Sequence, residues 1–298
     1  MLNKTLLLAL VGLIVGILPV DAQTTQSKVK GRIIAARVQG QVNAVSKMDG
    51  QSRVLHDGDQ FADQTEVVTL KGASVVLVFS NGATLDLAPD STLDVEEFEQ
   101  DPFASDIKVS SLKQEPGTSV TRLNMAKGEL VAKVVHLNVD RGSEFLVSTP
   151  VGAAGIRGTT FRIVFRPDPG TGKAYFVVTT TEGAVVFKGV TSGPVSIPAG
   201  RQVVATFDYT APTATSPAST VQSTPATITT SNVSAAETSQ IEATSQSIVS
   251  AVESTVIPSS ASGASGNGGQ ASTTTTTPSA QPAPVIQPIN PTVVSPSH

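Results

Sequence analysis

The stretch Phe145-Leu-Val-Ser-Thr-Pro150-Val-Gly-Ala-Ala-Gly155-Ile-Arg-Gly-Thr-Thr160-Phe-Arg-Ile-Val-Phe165 decides the fold. Phe145, Val147 and Thr149 recur on one face of a first strand, and Phe161, Ile163 and Phe165 on one face of a second. That is the period of two of a half-buried β-strand. Between them Pro150, Gly152, Gly155 and Gly158 forbid a regular helix and favour turns. The stretch therefore reads as a strand, a glycine-rich corner carrying Arg157, and a second strand.

Outward from it, the same period fills the middle of the chain. Arg32 to Val45 alternates around Gly40, and Leu55-His56-Asp57-Gly58-Asp59 closes a strand in a tight turn. Ser74 to Phe79 is apolar on both faces, and Asn81-Gly82 then turns the chain into Ala83, Leu85 and Leu87, a hairpin signature. Glu96 to Ser119 reads as a polar, Pro-interrupted insertion with one strand near Ile107 to Leu112. Strands are expected again at Thr121–Asn124, Glu129–Asn138, Ala174–Thr180, Ala184–Lys188, Val195–Pro198 and Gln202–Phe207. Recurrence about every ten residues predicts an all-β domain of short strands, a coil, sandwich or barrel, with no alternating helices.

Composition sets the boundaries. Met1–Ala22 has Lys4, an apolar run from Thr5 to Leu18 and a small-residue ending, the layout of a secretory signal cleaved before Gln23. An uncleaved anchor is the alternative, although the run is short for a bilayer that asks for about 20 residues. Only Met1 to Lys4 precede it, so the expectation is an exported protein, periplasmic or at the cell surface, with no cytosolic domain. Cleavage would leave no stable membrane insertion. From 209 to 298 Thr, Ser, Ala and Pro dominate and Lys and Arg are absent, which predicts a solvated, disordered tail. Within it Ser234 and Glu237 match a capping box, and Ile241, Ile248, Val252 and Val256 follow at near-helical spacing, a candidate helix over 234–257.

The 298 residues include no cysteine, so disulfides, thiolate metal sites and cysteine nucleophiles are excluded, and stability must come from the core. Glu237, Glu242 and Glu253 carry three of the four net negative charges. The middle is thus nearly neutral and offers no electrostatic footprint for nucleic acid or anionic lipid.

Five ordered pieces carry a family resemblance. Val147-Ser-Thr149-Pro150 followed by Ile156-Arg157-Gly158-Thr159 and Phe161 is similar to the FecR-domain signature V-x-T-P … V-R-G-T-x-F. Leu55–Asp59, Ser74–Leu87, Thr181–Val185 and Ile197–Gly200 resemble the family's L-x-x-G-D turn, strand-turn-strand, E-G-x-V turn and closing A-G-x. Ile156 in place of valine and the long insertion are the departures. The resemblance spans about 28–208 and implies an all-β, twisted β-solenoid-like or sandwich-like domain. It also implies the setting of the regulator that names the family, an inner-membrane protein whose periplasmic domain receives a signal from an outer-membrane receptor. That protein's cytosolic segment acts on a sigma factor, and no matching segment is expected here.

Chemistry finds little support in the domain. His56 and His136 are the only bases of the kind a hydrolase triad uses, one on a turn and one on an alternating strand. The acidic run Asp94, Glu96, Glu97, Glu99 and Asp101 lacks the ordered spacing of a calcium loop and reads as a solvated face. No catalytic residue, metal or cofactor is expected. The residues singled out are those of the corner: Thr149, Pro150, Gly155, Arg157, Gly158, Thr159 and Phe161. Arg157 is read as tying the corner to backbone carbonyls or to Glu144 or Glu182, with an exposed anchor for a partner's carboxylate as the alternative. The functional expectation is a non-enzymatic exported module that binds a protein or cell-envelope component. The alternative is a signal-sensing subunit acting with a separate membrane partner. The sequence fixes no oligomeric state.

Overall fold

The computed structural model describes residues 27–189, 193–210 and 220–259, with side chains in the last range from 229 onward. The expected leader and the Pro-rich chain beyond 259 lie outside those residues. The strands are β1 (Val29–Lys30), β2 (Ile33–Gln39), β3 (Val42–Ser46), β4 (Ser52–Val54), β5 (Gln60–Phe61), β6 (Thr65–Thr69), β7 (Ser74–Phe79), β8 (Thr84–Leu87), β9 (Thr92–Gln100) and β10 (Ile107–Lys108). They continue as β11 (Ser119–Lys133), β12 (Glu144–Thr149), β13 (Gly152–Ile156), β14 (Thr160–Asp168), β15 (Lys173–Glu182), β16 (Ala184–Gly189), β17 (Pro194–Pro198), β18 (Arg201–Thr210), β19 (Thr220–Asn232) and β20 (Val256–Ile257). The one α-helix among the described residues, α1 (Ala235–Val252), lies between the last two. Among the described residues no helix is long and apolar enough to cross a membrane.

The long strand β11 organises the pairing. Its first part pairs with β9 on one side and, in parallel, with β12 on the other, in the order β4-β3-β6-β9-β11-β12-β13-β16-β17. From Gly128 onward it pairs instead with β8 and β14, in the order β5-β2-β7-β8-β11-β14-β15-β18-β19. One hydrogen-bonded sheet is thereby folded into two layers around a single core. Of the two arrangements expected, the sandwich-like one is present and no solenoid forms: among the described residues every strand pairing except β11 with β12 is antiparallel, whereas repeated coils stack their strands in parallel. The break expected between Asn124 and Glu129 is likewise absent. Gly128 bends the strand without ending it.

That bend depends on the absence of a side chain. Gly128 has φ +111°, and a Cβ there would lie 2.1 Å from Ser91 Oγ and 2.5 Å from its Cα. Ser91 is fully buried; its Oγ accepts from Glu129 N at 3.1 Å, and its backbone pairs with Thr69. Neither partner can move aside.

The core gathers inward residues of both layers. Phe79 meets Phe98 edge-on at 5.2 Å and Phe145 at 6.4 Å, and Phe176 packs on Phe187 at 4.8 Å. Each buried phenylalanine contributes about 1.5–3 kcal/mol by leaving water, the stabilisation on which a chain without disulfides depends. β7 is buried on both faces, as its sequence requires: Val75, Leu77 and Phe79 join the core, while Val76 and Val78 face outward.

The outward face of β7 explains the C-terminal segment. Ile241, Ile248 and Val252 of α1 cover Ile34, Val76, Val78 and Val131, and β20 pairs with β10 at Ile107↔Ile257. The capping box forms, with Ser234 Oγ accepting from Glu237 N at 3.2 Å. Residues 220–257 are therefore packed on the domain, against the expectation of a solvated tail beginning at 209. Composition judged that segment alone, whereas its few apolar side chains are matched by an apolar strip waiting on the sheet. The insertion is also shorter than expected, since Glu96–Gln100 belongs to β9 and only 101–118 is irregular around β10.

Under α1, Arg37 lies between Asp86 (Nη2 to Oδ2, 3.5 Å) and the Ser247 carbonyl (3.4 Å). Burial pushes the Asp86 carboxyl above its usual 3.8; Arg37 opposes this and Glu129 adds to it. The neutral form is thus favoured in the folded state, so stability from this group is greatest below pH 3.8 and falls as pH rises through the raised folded value.

Two outcomes follow from these contacts. Gly128→Ala is expected to lose ~3 kcal/mol or more in denaturant unfolding, from a disfavoured φ combined with an immovable neighbour; a loss under ~1 kcal/mol would show that the bend relaxes. Asp86→Asn is expected to raise the melting temperature at neutral pH, with the gain closing as pH is lowered past 3.8. A gain independent of pH would remove the buried charge as its cause.

Candidate functional site

The corner is built from the ends of three strands. In β12, Phe145, Val147 and Thr149 point inward while Glu144, Leu146 and Ser148 point outward. Thr149 Oγ1 donates to the Gly152 carbonyl at 2.9 Å, closing the turn at Pro150–Val151. The chain then does something the glycines concealed. Gly152–Ile156 is itself a strand, antiparallel to both β12 and β16, with Ala154 and Ile156 in the core and Ala153 and Gly155 outward. Gly155 has ordinary backbone angles, and a Cβ there would meet only the Val186 carbonyl, at 3.7 Å. The true turn is Arg157–Thr159, where the chain leaves β13 in one layer for β14 in the other, carrying Phe161 into the core.

Gly158 makes that passage possible. Its φ is +78°, and a Cβ would lie 3.1 Å from the His136 Cα. Thr159 is buried and its carbonyl accepts from Val134 N at 2.9 Å. The Glu182-Gly183 turn rests directly on this passage: a Cβ on Gly183 would come within 2.7 Å of both the Gly158 carbonyl and Thr159 Cγ2. Thr160 Oγ1 donates to Glu182 at 2.6 Å, and Ala199 N donates to the Gly183 carbonyl at 3.0 Å.

Arg157 is exposed and makes no ion pair or hydrogen bond to a described residue, so the expected tie is absent. Both proposed acids are otherwise engaged. Glu144 accepts from Arg122 at 2.8 Å, Arg122 also holds Glu97, and Glu182 accepts from Thr160. Arg157 instead stands at the rim of a shallow groove of about 470 Å³ on the outer face of β12, β13 and β16. Leu146, Ala153, Gly155 and Val186 form its floor, and Lys188 lies on its border. Val186 is 40% exposed, an apolar side chain that the fold leaves uncovered. A larger depression of about 680 Å³ at the β11 bend includes Glu129 and Arg166, which neutralise one another at 2.6 Å.

The remaining candidates fall elsewhere. His56 is exposed in its turn, 3.7 Å from Asp59, and His136 is exposed and bridges Gln114. The structure brings neither to the groove. The acidic run is ion-paired along β9 instead of being merely solvated, with Asp94 on Lys47, Glu97 on Arg122, Glu99 on Lys30 (3.6 Å) and Asp101 on Lys28 (3.4 Å). Among the described residues no cluster of His, Asp and Glu is placed to hold a metal ion. Sequence reasoning missed Lys188 and Val186 as neighbours of Arg157. Their outward alternation in β16 was visible, but its adjacency to β13 was not.

Residues 65–186 match the family model described as FecR protein. Over those residues the chain is similar to the FecR family. The match covers the strand-turn-strand, the corner and the E-G turn, while Leu55–Asp59 and Ile197–Gly200 lie outside it. Two crystal structures of a candidate anti-sigma factor from Parabacteroides distasonis are similar, at 15% identity with a TM-score of 0.39 and at 14% with 0.38. Each likeness covers 58% of this chain and 62% of that one. No curated protein matches the sequence. Within the matched stretch, Arg157 and Gly158 are neighbours with separable roles. Arg157→Gln is expected to leave stability within about 0.5 kcal/mol, and Gly158→Ala to cost about 1–2 kcal/mol or more. Equal losses in thermal melts would show that Arg157 is tied after all.

Proposed function

We propose that this chain is an exported, non-enzymatic FecR module that works by binding a protein or cell-envelope component through the outer face of β12, β13 and β16. The observation that carries the reading is Arg157: an exposed guanidinium, with no partner among the described residues, held at the rim of an apolar floor by a rigid passage between layers. Arginine beside uncovered apolar surface is the composition of binding hot spots. The ionisable side chains of the face are Arg157, Lys188 and a Glu144 already engaged by Arg122, a set without a nucleophile–base pair. Export is supported by the apolar run of Met1–Ala22, and a near-neutral middle argues against nucleic acid as the partner. The FecR match favours a second, more specific reading, a signal-sensing subunit of a sigma-regulatory system acting with a separate membrane partner.

Panning a random peptide library on the full chain tests the face. Sequences enriched on the wild type are expected to lose binding to Gly155→Leu, whose side chain fills the floor, and to keep it on Gly170→Ala in the distant β14–β15 hairpin. Enrichment indifferent to Gly155→Leu would place recognition elsewhere.

A further inference from the structure

Resting on that reading, we propose that the groove takes an extended acidic peptide, with two carboxylates four residues apart and an apolar residue midway between them. The strand register gives this pattern. Continuing the β12–β13 pairing past Leu146↔Gly155 sets Arg157 in a row with Glu144. The next outward row is Leu146, Gly155 and Val186, and the one after it is Ser148, Ala153 and Lys188. The two cationic positions are therefore separated by four residues along β13, about 13 Å at the rise of a strand. The row between them is apolar and indented, because Gly155 has no side chain between Leu146 and Val186.

A second extended chain repeats with the same period. Its residues i, i+2 and i+4 face the sheet together, so carboxylates at i and i+4 meet Arg157 and Lys188 while residue i+2 enters the indentation. A helix does not match: its same-face neighbours at i and i+4 are about 6 Å apart, less than half the spacing required. A glycan does not match either, since no aromatic ring among the lining residues turns outward for it to stack on; Phe145 points into the core. Glu144 does not oppose an incoming carboxylate at full strength, because Arg122 holds it at 2.8 Å. Arg157 supplies a planar fork for bidentate pairing and Lys188 a point charge, and neither has a hydrogen-bond or ion-pair partner among the described residues.

A labelled peptide containing Glu-Ser-Leu-Ser-Glu, titrated against the full chain by fluorescence anisotropy, decides the matter. It is expected to bind about tenfold or more tightly than the same peptide with Gln for both Glu, and than Ser-Glu-Leu-Glu-Ser, whose acids are too close together. Arg157→Gln and Lys188→Gln should each weaken it about tenfold, and added salt should weaken it further. Equal affinity for the three peptides, or indifference to both substitutions, would overturn the proposal. If this peptide fails while library sequences remain sensitive to Gly155→Leu, the face binds a partner of other chemistry. If both fail, the face itself is wrong.

Discussion

Everything in this fold depends on β11 serving both layers, and that depends on one contact, the backbone of Gly128 lying against Ser91. Ser91 is fixed from two sides, by Thr69 in one layer and by Glu129 just past the bend, so the two layers diverge from a shared point instead of a flexible joint. The residue that follows the bend then fastens the next strand. Glu129 holds Arg162 at 2.7 Å and Arg166 at 2.6 Å, the two diagonal neighbours of its registered partner Val164. Arg162 and Glu129 are mostly shielded from water, so this pairing is less screened than the exposed ion pairs along β9. Folding direction and layer pairing are set within a few residues.

The second crossing, at Arg157–Thr159, works differently. Here the constraint is a stack of turns: Gly183 lies on Gly158 and Thr159, and Ala199 bonds to the Gly183 carbonyl. Three short motifs that look independent along the chain are thus one physical object. Gly183 lacks a side chain because the neighbouring turn occupies its space, whereas Gly158 is crowded by His136 and Gly200 is set by its φ of +77° with nothing within 4 Å. Between Gly158 and Gly183 lie β14 and β15, and between Gly183 and Ala199 lie β16 and β17, so at each interval the chain leaves the stack, adds two paired strands to a layer, and returns.

Much of this was legible in the sequence, and the failures share a cause. Period two placed Phe145, Val147, Phe161 and Ile163 correctly, and the double apolar face of Ser74–Phe79 correctly announced burial on both sides. Gly128, Gly152 and Gly155 misled in the same way, read as breaks where the strand bends or continues, while Gly158 does mark a turn. A glycine's tolerance of unusual angles is visible in sequence, but whether its missing side chain serves a turn or a close neighbour depends on residues distant in the chain. The same limit hid the docking of α1. Ile241, Ile248 and Val252 could be seen, but the strip formed by Ile34, Val76, Val78 and Val131 is assembled from three strands. Arg157 was expected to be tied because Gly155, Gly158 and Thr159 beside it suit a backbone corner, yet Glu144 and Glu182, the acids named for it, already have partners.

The groove follows from the crossing rather than being added to it. β13 is sandwiched between β12 and β16 immediately before the chain changes layers, and it reaches that point through Gly152, Ala153, Ala154 and Gly155. Small residues on its inward side let the layers approach near the passage. On the outward side they leave Leu146 and Val186 flanking an empty row. At the passage itself Gly158 and Thr159 fill the inward space, so the side chain of Arg157 has nowhere to go but out. An apolar indentation left open by the described residues, with a guanidinium that none of them pairs at its end, is therefore a consequence of how this chain moves between its two layers. Any substitution that preserves the crossing while closing the indentation separates the two roles cleanly, because Gly155, alone among the corner glycines of β13 and its turn, carries no backbone constraint of its own.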